Sequence, residues 1–316
     1  MPTDSPTVVL GLLADPGLPS ELAADLAGTL PDRLARDTDG RARWRVETAT
    51  QALTLDEHGT LPVVVLGRQA LAEHGWDLVI LVTELPRRVG TQPILSDYGL
   101  DAGVGLVSLP ALGGIRLRHQ ARKVVVHLVA EHLADKPLGD SHGNGPDRAA
   151  HRGHRPLGLA GEVEHINSED EGIDMHLALT GVPGRLRLLV GMVLANRPWR
   201  LVPSLAPALA GAAAGAAFGV FYSNIWQLAN GLSTGRLALI NVLAILTLIT
   251  WLIIDNNLWE HPSNRQLREE AVLYNAATAL SITIGVLCAY MLLYLVTLVS
   301  ALVVISPDYL SLTLKQ

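Results

Sequence analysis

Three long stretches without a charged residue occupy the last third of this sequence. Residues 201–229, 237–254 and 271–307 contain no Asp, Glu, Lys or Arg. A helix needs about 20 apolar residues to cross the hydrocarbon core of a bilayer, because each residue adds about 1.5 Å along its axis. The first two stretches each match one span, and the third is longer than one span requires. The sequence therefore predicts an integral membrane protein.

The predicted membrane domain covers residues 201–316 and is all α-helical. Its third stretch contains no internal proline or turn cluster, which favours one helix from about 264 to 305 whose first turns lie outside the bilayer. Three spans are predicted, and a hairpin within 271–307, which would make four spans, is the alternative. The predicted spans are 201–229, 237–254 and 282–305.

Basic residues near the span ends predict the orientation of the chain. Four arginines precede the first span and two lie in the second loop, whereas the first loop and the tail hold one basic residue each. Lys and Arg accumulate in cytoplasmic loops. With three spans, this predicts a multi-pass protein of the inner (cytoplasmic) membrane whose N-terminal domain lies in the cytoplasm. The residues counted are Arg185, Arg187, Arg197, Arg200, Arg236, Arg265, Arg268 and Lys315.

The first span contains the most regular pattern in the sequence. Gly211, Gly215 and Gly219 recur at every fourth residue, and Ser223 extends the row. Residues four apart share one face of a helix, so this face allows a second helix to approach closely. The partner is either another helix of the same chain or the same helix of another subunit, which would make a homo-oligomer. A ring of such helices is the basis of an alternative function, an oligomeric channel or transporter gated by the cytoplasmic domain.

The first 134 residues alternate short apolar runs with helical patterns. Continuously apolar strands are typical of a parallel or mixed sheet with helices on both faces, so residues 1–134 are predicted to form an α/β domain. Residues 135–172 are predicted to be a His- and Gly-rich linker or excursion. Residues 173–200 are predicted to be a strand and a basic amphipathic neck helix that lies on the bilayer or packs on the soluble domain. The predicted strands are 8–14, 44–48, 61–66, 77–83 and 104–109.

Polar residues near the ends of these strands are candidates for a ligand site. Open α/β sheets bind ligands beyond the carboxyl ends of their strands, and arginines there suit a small anionic ligand. A solvated loop rim is the alternative. No G-x-G-x-x-G or P-loop follows the first strand, and no cofactor is predicted. The candidate ligand-binding residues are Asp15, Arg68, Glu84, Arg87 and Arg88.

A histidine-containing segment, HLVAEH at 127–132, lies in the helix predicted from Ile115 to Ala134. His127 and Glu131 are four residues apart and share a face, so they are the candidate metal ligands. His127 and His132 are five residues apart and would lie about 140° apart around an ordinary helix. No catalytic residue is predicted.

The same region carries a resemblance to archaemetzincin-type metallopeptidases. It rests on the order of three segments, DLVILVTELP (77–86), GVGLVSLPALG (103–113) and the helix with LRHQARKVVVHL. The family's H-E-x-x-H is not intact here, because Leu128 follows His127. The resemblance implies a zincin-like fold that has lost its metal site. A membrane-anchored enzyme with such a degenerate domain is therefore the second alternative function.

Charge and cysteine content narrow the classes of partner. The formal net charge is −6 and no broad basic stripe is present, which argues against a nucleic-acid partner. The chain has a single cysteine, Cys288, so an intramolecular disulfide is excluded. The predicted partners are the lipid bilayer, other copies of the chain, and a cytoplasmic protein or small anionic ligand.

A second resemblance covers most of the chain. It is carried by GRLRLLVGMVLANRPWRLVPSL (184–205), WLIIDNNLWE (251–260) and LYNAATALSITIGVLCAYMLLY (273–294), together with the opening VVLGLLADPGLP. These segments resemble a family of uncharacterised actinobacterial membrane proteins. Some members are labelled methylenetetrahydrofolate dehydrogenase, but this chain lacks the dinucleotide fingerprint of such an enzyme. The resemblance implies a cytoplasmic α/β domain, a basic neck and several helices. A regulatory or scaffolding role is predicted.

Overall fold

The structure is a computed structural model that divides the chain into two compact units, Met1–Ala195 and Asn196–Gln316. Most of the predicted linker, at 139–162 and 168–172, lies outside the described residues. The residues described are 6–56, 60–89, 92–114, 116–138, 163–167, 173–179, 181–260 and 265–304.

A mixed β-sheet forms the centre of the first unit. Its strands follow the order β2–β1–β3–β6–β5–β8–β7, and the short β4 pairs with β5. The neighbours β2, β1, β3 and β6 are parallel, whereas β5, β8 and β7 are each antiparallel to the strand before them in this order. The prediction of an α/β domain is confirmed. The strands are β1 (Thr7–Ala14), β2 (Arg43–Thr50), β3 (Leu78–Thr83), β4 (Arg88–Val89), β5 (Gln92–Gly99), β6 (Val104–Ser108), β7 (Val163–Asn167) and β8 (Met175–Leu179).

Helices cover both faces of this sheet. Val104 and Gly105 are adjacent in β6 and therefore point to opposite faces. Gly67 of α3 packs against the Val104 side chain, whereas Leu133 of a π-helical turn lies beside Gly105. The helices of this unit are α1 (Leu18–Ala27), α2 (Leu30–Asp37), α3 (Val63–His74), α4 (Leu109–Leu112), α5 (Leu117–Leu128), α6 (Asp135–Leu138) and α7 (Gly181–Ala195), with the π turn Val129–Leu133 between α5 and α6.

The predicted strand at 61–66 is wrong, because this segment belongs to α3. Val63, Gly67 and Ala70 are buried at helical spacing, while Val65 is 66% exposed. A short apolar run fits a strand and a buried helix equally well until its neighbours are known. The strand β5 is absent from the prediction, because Pro93, Ser96 and Asp97 interrupt its apolar run.

The predicted neck, residues 173–200, includes a strand of the sheet and a helix packed beside it. The strand β8 pairs with β5, and α7 follows it. Gly191 of α7 lies directly over the backbone of Pro110 in α4, where any side chain would overlap the carbonyl group. Arg187 Nε donates a hydrogen bond of 2.7 Å to the Leu112 carbonyl. The helix α7 therefore packs against the α/β domain.

Two helices of the second unit are long and apolar enough to cross a membrane. They are Thr234–Asp255 and Ala271–Val303, with mean hydropathies of 2.6 and 2.4. The prediction of membrane-spanning helices is confirmed for these two helices by their length and composition. The single helix predicted at 264–305 is also confirmed. The helices of this unit are α8 (Leu201–Ser204), α9 (Ala206–Phe221), α10 (Ser223–Gly231), α11 (Thr234–Asp255) and α12 (Arg265–Val304), preceded by the 3₁₀ turn Pro198–Arg200.

The stretch predicted as the first span, 201–229, is broken rather than continuous. Leu205 separates α8 from α9, next to Pro203 and Pro207, which cannot donate backbone hydrogen bonds. Tyr222 has an extended backbone, with ψ of 111°, and separates α9 from α10. Helices 183–204 and 206–219 qualify as a span only as a pair bent by 52°. Three spans therefore stay a prediction.

We expect Gly11→Ala to lower the free energy of unfolding by about 2 kcal/mol, as overpacking typically does. A Cβ on Gly11 would overlap the indole ring of Trp76, which is itself buried beside β1. Gly28→Ala is the matched control, because no atom of the described residues lies within 4 Å of its Cβ position. Urea unfolding of the full chain in mild detergent, followed by circular dichroism, measures both. Equal midpoints for the two variants would contradict this packing.

Candidate functional site

A continuous hydrogen-bond network joins the carboxyl ends of β1, β3 and β6. The Asp15 carboxylate accepts hydrogen bonds from the Leu53 amide at 2.8 Å and the Thr83 hydroxyl at 2.5 Å. Thr83 Oγ1 accepts one from the Leu85 amide at 3.0 Å, and the Ser108 hydroxyl donates to the Leu85 carbonyl at 2.8 Å. Both carboxylate oxygens of Asp15 are therefore occupied in holding the loops at this edge of the sheet.

A buried ion cluster lies beside this edge and is centred on Asp97 of β5. The Asp97 side chain is completely buried. Arg87 donates two hydrogen bonds to its Oδ2, from Nε at 3.0 Å and from Nη2 at 2.7 Å. His176 of β8 lies opposite Asp97 in the sheet and donates from Nδ1 to Oδ1 at 2.7 Å. A carboxylate only accepts hydrogen bonds, so Nδ1 of His176 carries a proton and the second ring nitrogen, Nε2, is left as the acceptor in the neutral ring.

This cluster joins three separate segments of the chain. Arg87 belongs to the loop after β3, Asp97 to β5 and His176 to β8. The Asp97 carboxylate therefore binds a histidine that lies 79 positions further along the chain. A buried carboxylate is stable only when it is paired and hydrogen-bonded, and here both oxygens have partners. The His176 side chain is 4% exposed, which leaves almost no surface for a substrate. The geometry therefore serves chiefly to fix β8 to the sheet.

The structure separates the five predicted ligand residues. Asp15 lies at the end of β1 and Glu84 directly follows β3, so these two occupy the expected edge. Arg87 is engaged by Asp97, and Arg88 lies in β4. Arg68 is exposed in the middle of α3, because the segment expected to place it at a strand end is helical. Binding of an anion by these residues stays a prediction, with Arg68 removed from the edge.

The histidines of HLVAEH are brought together by a π turn. The Ala134 amide donates to the Val129 carbonyl, five residues earlier, at 2.8 Å, and this wider turn changes the spacing around the helix. In an ordinary helix the side chains of His127 and His132 would point in directions about 140° apart. Here their ring centroids lie 5.4 Å apart and the rings are edge to face. Glu131, the other candidate ligand, lies in the same turn. Among the described residues, no three His, Cys, Asp or Glu side chains are arranged to hold a metal ion.

Tyr98 extends this aromatic cluster into the sheet. Its ring stacks on His132 with centroids 4.3 Å apart, and its hydroxyl donates to the Met175 sulfur at 3.1 Å. Burial raises the pKa of the Tyr98 phenol well above its usual value, and the nearby Asp174 carboxylate adds to the increase. Tyr98 is therefore a neutral phenol at physiological pH and acts as an apolar ring between two layers.

The predicted glycine row is exposed on α9. A Cβ placed on Gly211 or Gly215 would meet no atom within 4 Å among the described residues. At Gly219 the nearest atom is Ile225 Cδ1 at an ordinary 3.7 Å. Ser223 begins α10, so the fourth member of the row lies on a different helix.

Asp97 and His176 are the two central residues that are missing from the sequence predictions. Asp97 was hidden because β5 itself was not predicted, although an acidic residue between buried Leu95 and Tyr98 is an unusual arrangement. His176 lies in a recognised alternating strand. The pairing between them depends on a sheet contact that no local pattern encodes.

Comparison with known protein families, curated proteins and solved structures finds no match to this chain. Both resemblances described from the sequence therefore stay predictions.

We expect Asp97→Asn to lower the free energy of unfolding by about 3–5 kcal/mol, because it leaves the Arg87 guanidinium buried without a counter-charge. Asp25→Asn is the matched control. The Asp25–Arg118 pair is also close, at 3.0 Å, but both side chains are exposed, so its loss should cost less than about 1 kcal/mol. Urea unfolding of the two variants measures the difference. A result in which both variants unfold at the same midpoint would mean that the cluster does not stabilise the domain.

Proposed function

We propose that this protein has a regulatory or scaffolding role in the inner membrane. In this proposal its α/β domain lies in the cytoplasm and binds a ligand or a protein partner, and the chain self-associates through the glycine row of α9. The basic residues that precede the first apolar stretch support the orientation.

The exposed glycine row carries this proposal. The described part of the chain places no atom within 4 Å of a Cβ on Gly211 or Gly215, so no described helix packs on this surface. A glycine surface allows the backbone of a second helix to approach closely and form many dispersion contacts, which lipid chains do not replace. Of the two partners considered from the sequence, another copy of the chain is therefore the better supported.

Other small and polar positions of the same unit differ from the glycine row because they have partners within the chain. Gly285 of α12 packs against Leu201 and the Pro198 carbonyl, where a Cβ would be too close. The Tyr290 hydroxyl donates to Asn241 Oδ1 at 2.9 Å, which links α12 to α11. These contacts support an intact helical unit in which the α9 surface remains available for assembly.

The apolar surfaces of α11 support a membrane setting for this assembly. Leu239, Leu243 and Leu246 are each more than half exposed. Exposed apolar side chains of this density require lipid or protein contact rather than water. In this proposal the glycine row contacts another subunit, and these leucines contact the bilayer.

We expect Gly215→Leu to reduce the number of subunits in the assembly, because a large side chain holds the two helices apart. Ala217→Leu is the matched control, since Ala217 is exposed on α9 but lies off the glycine row. Mass photometry of the full chain in nanodiscs measures the subunit number of each variant and of the wild type.

Two results would contradict the proposal. A monomeric wild-type protein excludes self-association, and an unchanged subunit number in Gly215→Leu excludes the glycine row as its interface. An assembly of four or more subunits would make the channel alternative geometrically feasible, and solute flux in liposomes would then be the next measurement.

A further inference from the structure

Positively charged side chains converge at the beginning of α5, on the outer surface of the α/β domain. Arg116 precedes the helix, while His119, Arg122 and Lys123 lie in its first two turns, and Arg33 approaches from α2. Arg33, Arg116, His119 and Lys123 are exposed. The chain carries a net charge of −6, so this basic cluster is opposite in sign to the protein as a whole.

The state of His119 shows that the cations of the basic cluster face one another. An Arg122 guanidinium nitrogen lies 3.3 Å from Nδ1 of His119. A guanidinium can only donate, so Nδ1 accepts and the ring is neutral with its proton on Nε2. Partial desolvation of the exposed ring lowers the pKa of His119 most, and Lys123, Arg122, Arg116 and Arg33 lower it further. These four charges repel a proton on His119.

A hollow of about 450 Å³ lies between α1 and the beginning of α5. Its apolar wall includes Leu18, Leu22 and Leu117, and its acidic residues, Glu21 and Asp25, lie on the α1 side. Asp25 is paired with Arg118 at 3.0 Å, so this acid is already neutralised by a cation outside the basic cluster. The hollow therefore combines an apolar wall with a rim at which Arg116 and His119 remain available to a ligand.

We propose that the basic cluster binds a phosphate-bearing anion, supplied either by a small soluble molecule or by the headgroup of an anionic lipid. Guanidinium and ammonium groups donate short, charge-assisted hydrogen bonds to phosphate oxygens. A phosphate near Arg116 would also accept from Nε2 of His119 and relieve the repulsion among the cations. This inference deepens the proposed ligand-binding role of the α/β domain and rests on it. It concerns a different surface from that of the predicted ligand residues Arg68 and Arg87.

Binding should also depend on pH in a defined direction. In the protein without the anion, neighbouring cations lower the pKa of His119. A bound anion favours the protonated imidazole and raises that pKa, so binding takes up a proton. The affinity should therefore increase as the pH falls from 8 to 6, and His119→Gln should remove this contribution. Comparison of the two proteins cancels the titration of the anion itself.

Inorganic pyrophosphate is the probe for the test, with the full chain in phosphatidylcholine nanodiscs at low ionic strength. We expect saturable binding by calorimetry and a loss of at least about tenfold in affinity for the double variant Arg116→Gln, Lys123→Gln, because two charge-assisted contacts disappear. The control is Arg43→Gln, Arg45→Gln. It removes the same charge from two exposed positions that do not influence His119.

Nanodiscs with phosphatidylglycerol separate the two sources of phosphate. If the lipid headgroup competes for the site, the wild type and the control bind pyrophosphate more weakly in these discs than in phosphatidylcholine discs. The cluster variant then shows no such difference. Equal affinities in the two kinds of disc identify a soluble phosphate.

Three outcomes would overturn the inference. They are the absence of saturable binding by the wild type, an equal loss in the control, and an unchanged affinity in the cluster variant. The subunit number of the cluster variant distinguishes this failure from that of the proposed assembly. A wild-type subunit number with no anion binding would reject the site and leave self-association through α9 standing.

Discussion

The completely buried carboxylate of Asp97 is the constraint on which the α/β domain depends. A charge in the interior of a sheet is tolerated only when partners satisfy it, and two partners come from segments that are distant in sequence, Arg87 and His176. Satisfying Asp97 therefore requires β8 to lie beside β5, although the two strands are far apart in the chain. Because α7 follows β8 directly, the ion cluster also determines where α7 begins and which surface it can pack on.

Glycine is used in two different ways in this chain. In the first unit, Gly11, Gly67 and Gly191 are places where a side chain or backbone of the same chain approaches too closely for a Cβ. In the second unit, Gly285 is packed in the same way, whereas no described atom lies within 4 Å of a Cβ placed on Gly211 or Gly215. The first use explains internal packing, and the second supports assembly between chains, since only close approach by another helix makes a bare backbone favourable in lipid.

Buried and exposed cations have different partners in the α/β domain. The arginines expected to form one anion site are separated, because Arg87 compensates a buried acid and Arg68 extends from α3 into solvent. The cations around His119 have no buried acid to compensate, and their mutual repulsion is a cost that a bound anion would relieve. An interior cation stabilises the fold through its partner, whereas a group of exposed cations favours an external ligand.

Local composition was sufficient to predict two long apolar helices and an α/β domain. A long uncharged run indicates a helix that can lie in lipid, and a continuously apolar strand indicates a strand buried on both faces of a sheet. It was insufficient for LPVVVL, which is helical in α3, because a run of six apolar residues satisfies both periodicities. It was also insufficient for His127 and His132, whose contact depends on one additional residue in the turn at 129–133.

The sequence by itself determined that this chain has an α/β part and an apolar helical part, because a folded core and a lipid-facing helix each require a characteristic pattern of side chains. Only the tertiary structure decided which polar groups meet. The pairing of Asp97 with His176, the contact of Gly191 with Pro110 and the ion pair of Asp25 with Arg118 all join residues far apart in the chain. Such contacts depend on strand order and helix packing, which are properties of the whole fold and leave no local signal.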